Sequence, residues 1–207
     1  MRIPRQLAVA LVPLLAVACD SMNEPSESLL GVPSLNFCED ELDYGRMTGG
    51  GVVRVVGYAD ALPEPVEVKV THGFTLHCDV RLSNNLEINW GGNQWHLEKE
   101  SLENISCIDD PTVSPEPPKA PFDTFIADAW GSLRLGDGPS VAGAYISFEL
   151  QDSGEPGGKN DRASIAIWAP GADPAVDAPV LSVPFDFIVN GNIQAHYDQP
   201  HGSNWNK

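Results

Sequence analysis

An antiparallel all-β fold, either a β-sandwich or a barrel-like meander, is what this sequence predicts once a short N-terminal leader is set aside. Three observations predict it. Over residues 66–82 apolar and polar side chains alternate at every second place, the pattern of an extended strand with one buried and one wet face. Shorter runs of the same period follow, separated by turns rich in Gly, Asn, Pro and Asp. Past the leader, no segment carries the 3.6-residue apolar stripe of an amphipathic helix.

The long run places Val66, Val68, Val70, His72, Phe74, Leu76, Cys78, Val80 and Leu82 on the inward face. Gly73 is read as a bulge or bend. Upstream, Gly49-Gly50-Gly51 opens a strand over residues 52–58. Downstream, Ser83-Asn84-Asn85 turns the chain into Leu86, Ile88 and Trp90, and Gly91-Gly92-Asn93 turns it again before Trp95 and Leu97. Residues 109–121 hold five prolines and no period, the composition of a stiff, extended connector. Alternation resumes in Ala142, Ala144, Ile146, Phe148 and Leu150, then Ala163, Ile165 and Ile167, then Val183, Phe185, Phe187 and Val189. The reading is one β-rich domain over 36–200, whose connector either loops within it or divides it into halves, and a polar tail over 201–207.

The leader sets the compartment. Arg2 and Arg5 precede an apolar run over residues 7–18, broken only by Pro13. A basic start, a short apolar stretch and small residues before a cut form an export signal, here residues 1–18, and Pro13 speaks against a core helix. Ala16-Val17-Ala18 suits an ordinary signal peptidase, and the same residues before Cys19 resemble a lipobox with Ala16 where Leu is usual. The polar, unpatterned segment that follows, residues 19–35, reads as a tether and favours lipidation of Cys19. The expected address is the cell envelope by a lipid on Cys19, or secretion, and not the cytoplasm.

Charge narrows the partners. The chain has 12 Lys+Arg against 29 Asp+Glu, a net charge of −17. Removing Arg2 and Arg5 leaves ten basic against 29 acidic residues, a net of −19. No basic patch is available to neutralise phosphates, so nucleic acid is excluded as a partner. A protein or glycan partner stays open.

Of four cysteines, Cys19, Cys38, Cys78 and Cys107, lipidation of Cys19 leaves three. Cys78 lies in the long strand and Cys107 after the next pair of strand-like runs, so a Cys78–Cys107 disulfide is expected in an oxidising compartment. Cys38 is left over, and Cys19–Cys38 becomes available if Cys19 carries no lipid.

Two constellations carry candidate chemistry. His72, His96 and His196 would make a zinc site if their strands were neighbours, although alternation puts His72 with Phe74 and Cys78 in the core and His77 on the opposite face. Asp152, Glu155, Asn160 and Asp161 surround flexible glycines, the raw material of a calcium loop, with a polar hairpin loop as the simpler account. The chain has no Gly-x-Ser-x-Gly elbow and no His-Glu-x-x-His helix, so no catalytic residue is assigned. Tryptophan rings stack sugars, but the alternation assigns Trp90 and Trp95 to the core.

Assembled, the motifs resemble an uncharacterised family of exported bacterial β-rich proteins and lipoproteins. The pieces are Thr48-Gly49-Gly50-Gly51, Val70-Thr71-His72-Gly73-Phe74 through His77-Cys78-Asp79, Asn84-Asn85-Leu86-Glu87-Ile88-Asn89-Trp90, the loop with Asp152, Gly154, Glu155, Pro156 and Gly157, and Asn190-Gly191-Asn192-Ile193-Gln194-Ala195-His196. The resemblance implies export and a β fold, with modules found alone or appended to surface and adhesive proteins, and it supplies no reaction. The expected function is an exported, lipid-anchored, non-catalytic binding or surface-structural module. The rival is a secreted metal-dependent enzyme, a hydrolase, using the histidines above with acids of the 152–161 loop.

Overall fold

The computed structural model describes residues 45–57, 66–113, 120–154 and 160–197. Cys19, the expected signal peptide and tether, Cys38, Glu155 and residues 201–207 lie outside the described residues. Among the described residues there are nine strands: β1 Arg46–Gly57, β2 Val66–His77, β3 Asn85–Trp90, β4 Asn93–Ile108, β5 Thr124–Arg134, β6 Val141–Gln151, β7 Arg162–Trp168, β8 Leu181–Phe187 and β9 Asn190–His196. Among the described residues there is no helix. The strands form one antiparallel sheet in the order β8-β7-β6-β5-β4-β3-β2-β1-β9, curled into a half-barrel. The barrel-like meander is therefore realised rather than two packed sheets.

Each strand from β1 to β8 pairs with the next, as sequential antiparallel strands commonly do whether their connection is short or long. Between β3 and β4 the turn is Gly91-Gly92, both at positive φ, which suits a two-residue hairpin loop. The strands on either side of the proline-rich connector pair with each other: Ile108 is opposite Thr124, and the Asp110 backbone N–H donates to the Asp123 carboxylate at 3.0 Å.

The core is the inner face of the curl. Met47, Val70, Phe74, Leu76, Leu86, Ile88, Trp95, Phe125, Phe148, Ile165 and Ile193 all lie within it at 5% exposure or less. Small residues, Ala127, Ala129, Ala144 and Ala163, alternate with these large ones, as a small barrel needs in order to fill without voids. Gly131 is the clearest case: a Cβ there would strike the Trp95 ring, whose indole N–H reaches across to the Ala144 carbonyl at 3.3 Å.

Several details depart from the expected strands. β1 begins at Arg46 and runs through the glycine triplet, and His77, expected on the wet face, is 5% exposed. β2 ends at His77, so Val80 is 51% exposed in a turn instead of buried in the run. Gly73 sits in an unbroken ladder, opposite Gly50 on β1 and Glu87 on β3, and makes no bulge. In β8 the inward alternation stops after Val183, because a register shift opposite Ser164 inserts an extra residue. Phe185, Phe187 and Val189 are exposed as a result, and Ile188 is buried instead. Pro184, in the middle of this strand at the sheet's edge, has no N–H to offer a stray strand.

Cys78 and Cys107 form a disulfide with Cα atoms 6.1 Å apart. Its position follows from unequal strand lengths. β3 has six residues, whereas β2 and β4 on either side have 12 and 16. Past the end of β3 no strand bridges them, and the disulfide does.

Candidate functional site

The sheet's two ends meet through consecutive strands. β8 pairs with β7 on one edge, and two residues later β9 pairs with β1 on the other. At the crossing Val189 N–H donates to the Val52 carbonyl at 2.7 Å. Gly51 pairs with Gly191, Gly50 with Asn192 and Gly49 with Ile193. A Cβ on Gly49 would collide with the Asn192 carbonyl, and one on Gly191 with that of Gly50. Both glycines have positive φ, 148° and 117°. Only glycine tolerates such an approach.

The free edge of β9 is met by carboxylates in place of a strand. The Asp161 side chain accepts from Ile193 N–H at 2.8 Å and Ser153 N–H at 3.1 Å. Asp152 accepts from Ala195 N–H at 2.8 Å and Gly154 N–H at 2.9 Å. The Asp161 backbone carbonyl takes Ile188 N–H, and Asp161 is fully buried. Thus two acids that composition offered as calcium ligands spend their oxygens on backbone donors, the role a paired strand fills elsewhere. Four of the five motif segments meet at this closure: the Gly triplet, the His72 segment, the two ends of the 152–161 segment through Asp152 and Asp161, and the β9 run.

The three histidines are not brought together. His72 lies on the inner face, 5% exposed. His96 lies between buried Trp95 and Leu97, and His196 follows buried Ala195, so both occupy the outer face. Their strands, β4 and β9, are four places apart in the sheet, about 19 Å at ladder spacing. His196 Nε2 lies 3.0 Å from Thr48 Oγ1. Burial, the Arg46 charge opposite it and, in the other sense, Asp152 act on its ring, and the net effect lowers its pKa. Among the described residues no group of three or more His, Cys, Asp or Glu is placed to hold a metal.

His72 is buried as the alternation requires, stacked on Phe74 with centroids 6.0 Å apart, but neither ring nitrogen has a hydrogen-bond partner. Desolvation lowers its pKa from 6.5 to about 4. Between those values the unfolded chain takes a proton that the folded one refuses, so stability is complete above pH 6.5 and falls as the pH drops. By about pH 4 this single group accounts for a loss of about 3 kcal/mol. We expect His72→Leu to raise stability at pH 7 by about 1–2 kcal/mol and to flatten the acid limb. Urea melts at pH 7 and pH 4.5 check both, and a destabilised variant with an unchanged acid limb would refute the assignment.

The outer face carries a feature that the alternation did not single out. Trp130, Tyr145 and Trp168 are directly opposite one another on β5, β6 and β7. Their ring centroids are 5.0 and 5.8 Å apart, and Trp130 is 37% exposed. The Trp168 indole donates to the Asp177 carbonyl at 2.9 Å, which fixes that ring. In the adjacent row Glu103, Asp128, Ser147, Ala166 and Ser182 are aligned across β4 to β8. Asn104 donates to Asp128 at 2.8 Å. Burial, then the charge of Asp128 and its hydrogen bond, then Glu103, push the Tyr145 hydroxyl up to about 12. The signal was in the sequence: Trp130, Tyr145 and Trp168 all fall on the polar parity of their strands.

Comparison with protein-family models, with curated proteins and with solved structures finds no match to this chain.

Proposed function

We propose that this protein is an exported, non-catalytic binding module, held at the cell envelope by a lipid on Cys19, whose contact surface is the outer face of β5–β7. The observation that carries this is the row Trp130–Tyr145–Trp168, a solvent-facing aromatic surface on a sheet whose inner face is already packed. Cross-strand aromatic pairs stabilise a sheet by themselves, but three in register with an exposed indole also supply rigid contact area of the kind that dominates binding surfaces. The placement of His72 on the opposite face from His96 and His196, and the commitment of Asp152 and Asp161 to backbone donors, favour this reading over the metal-dependent hydrolase. The Cys78–Cys107 disulfide is in keeping with an oxidising compartment.

The anchoring half is tested by expressing the full chain in a bacterium with an alkyne-tagged fatty acid. Wild-type protein is expected in the membrane fraction carrying the label, and Cys19→Ser is expected unlabelled. A wild-type protein processed without label overturns the anchor. Stoichiometric zinc in the purified protein, lost in His72→Ala, overturns the non-catalytic reading in favour of the metalloenzyme.

A further inference from the structure

We propose that the aromatic row and the acidic row beside it bind a basic peptide segment of a partner protein, with Lys or Arg side chains laid over the rings and paired to Glu103, Asp128 and Glu149. The inference rests on the reading of this face as the contact surface and names its ligand. Glu103 and Asp128 stand directly opposite on neighbouring strands and on the same face, a like-charge pairing that destabilises a sheet. Glu149 lies on the next row, opposite Ser164, and burial together with the Asp110 charge raises its pKa. Among the described residues none of the three carboxylates has an ion-pair partner. Asp128 is satisfied by neutral donors, Asn104 and the Tyr145 hydroxyl, which leave its charge uncompensated.

The neighbours complete the complementarity. Ser147, Ala166 and Ser182, aligned with Asp128, are small, so nothing rises between the acids and the rings on that side. A cation seated there meets aromatic faces and carboxylates together, the combination that recognises ammonium and guanidinium groups. The molecule uses the same chemistry on itself two rows away, where the Arg162 guanidinium lies 4.4 Å from the Phe187 ring centroid and 5.7 Å from that of Phe185. Three rings across three strands, with carboxylates on two rows, offer more than one such seat. That favours an extended peptide over a single small cation. The net charge of −17 draws basic partners and repels anionic ones.

The experiment uses the Cys19→Ser full chain after signal removal, titrated by tryptophan fluorescence and calorimetry with a ten-residue peptide of alternating Lys and Gly. Binding is expected, weakened by salt and lost when the lysines are acetylated. Trp130→Leu and the pair Glu103→Gln with Asp128→Asn should each weaken it about five- to tenfold, and Trp130→Phe should retain most of it. Asp186→Asn, an exposed acid on β8, should leave it unchanged. Equal affinity for the acetylated peptide overturns the proposal. So does an affinity indifferent to Trp130→Leu but sensitive to Asp186→Asn, which would mean bulk acidity alone. Spermidine binding as tightly as the peptide overturns the peptide source. Chitohexaose or cellohexaose binding that depends on Trp130 overturns the cationic ligand while keeping the contact face, and failure of every probe overturns both.

Discussion

Asp161→Ala is expected to cost about 3–5 kcal/mol, because it removes a fully buried acceptor of two charge-assisted hydrogen bonds. In a domain whose net stability is of order 5–15 kcal/mol, that is a large fraction. The damage has a definite place. Ile193 N–H belongs to the free edge of β9, and without the carboxylate it is a buried donor with nothing to meet it. Asp161→Asn keeps the volume but turns an amide N–H₂ toward one of the two backbone donors, so a loss of about 2–3 kcal/mol is expected. Asp152→Asn, at a half-buried position, should cost less. Urea melts give the energies, and native-state hydrogen exchange gives the location. The Ile193 and Ala195 amides should exchange faster in the variants, with those of β5 and β6 little changed. An Asp161→Asn protein as stable as wild type would show that the edge finds water or another acceptor.

Removing the disulfide, by Cys78→Ser with Cys107→Ser, is expected to lower stability by about 3–4 kcal/mol. The bridge spans a sequence separation of 29, and closing a loop of that length in the unfolded chain has about this entropic weight. The folded state adds a local effect. β3 pairs with β2 only as far as Asn85 opposite Thr75, so the ends of β2 and β4 have no ladder between them. Opening the bridge should therefore loosen the turn that carries Asp79 and Arg81, whose ion pair at 2.8 Å lies exposed beside it. We expect a lower urea midpoint in the double variant, reproduced in wild type by dithiothreitol. An unchanged midpoint in both would mean that the turn and the Cys78 N–H bond to the Gly45 carbonyl hold the strands without it.

Much of the fold is legible in alternation. Most of the faces of β2, β3, β6 and β7 follow from every-second-residue patterning, and Cys78 falls on the buried face as that pattern demands. His77, assigned to the wet face, is nevertheless also buried at 5% exposure, and Ala142 at the start of β6 is exposed. The same rule already separates the histidines: Trp95 and Leu97 flank His96, and Ile193 and Ala195 precede His196, so both point away from the face that His72 shares with Phe74. Two other departures have a visible local cause. Val80 follows the bend that ends β2, and Phe185 and Phe187 follow the register shift beside Pro184. The aromatic row was half legible. Each ring sits at a polar-parity position, but nothing local says that β5, β6 and β7 lie in the register that aligns them.

By itself the sequence determined the strand periodicity, most of the inward set of side chains, the turns between the shortest-linked strands, the acidic charge and the cysteine pair. Each depends on spacing of a few residues or on composition. Only the tertiary structure decided what Asp152, Asp161 and the glycine triplet are for. Asp161 meets Ile193, and Gly51 meets Gly191, across stretches of chain that no local rule connects. Their chemistry, backbone capping and close backbone passage, exists only once the curled sheet brings its last strand back to its first.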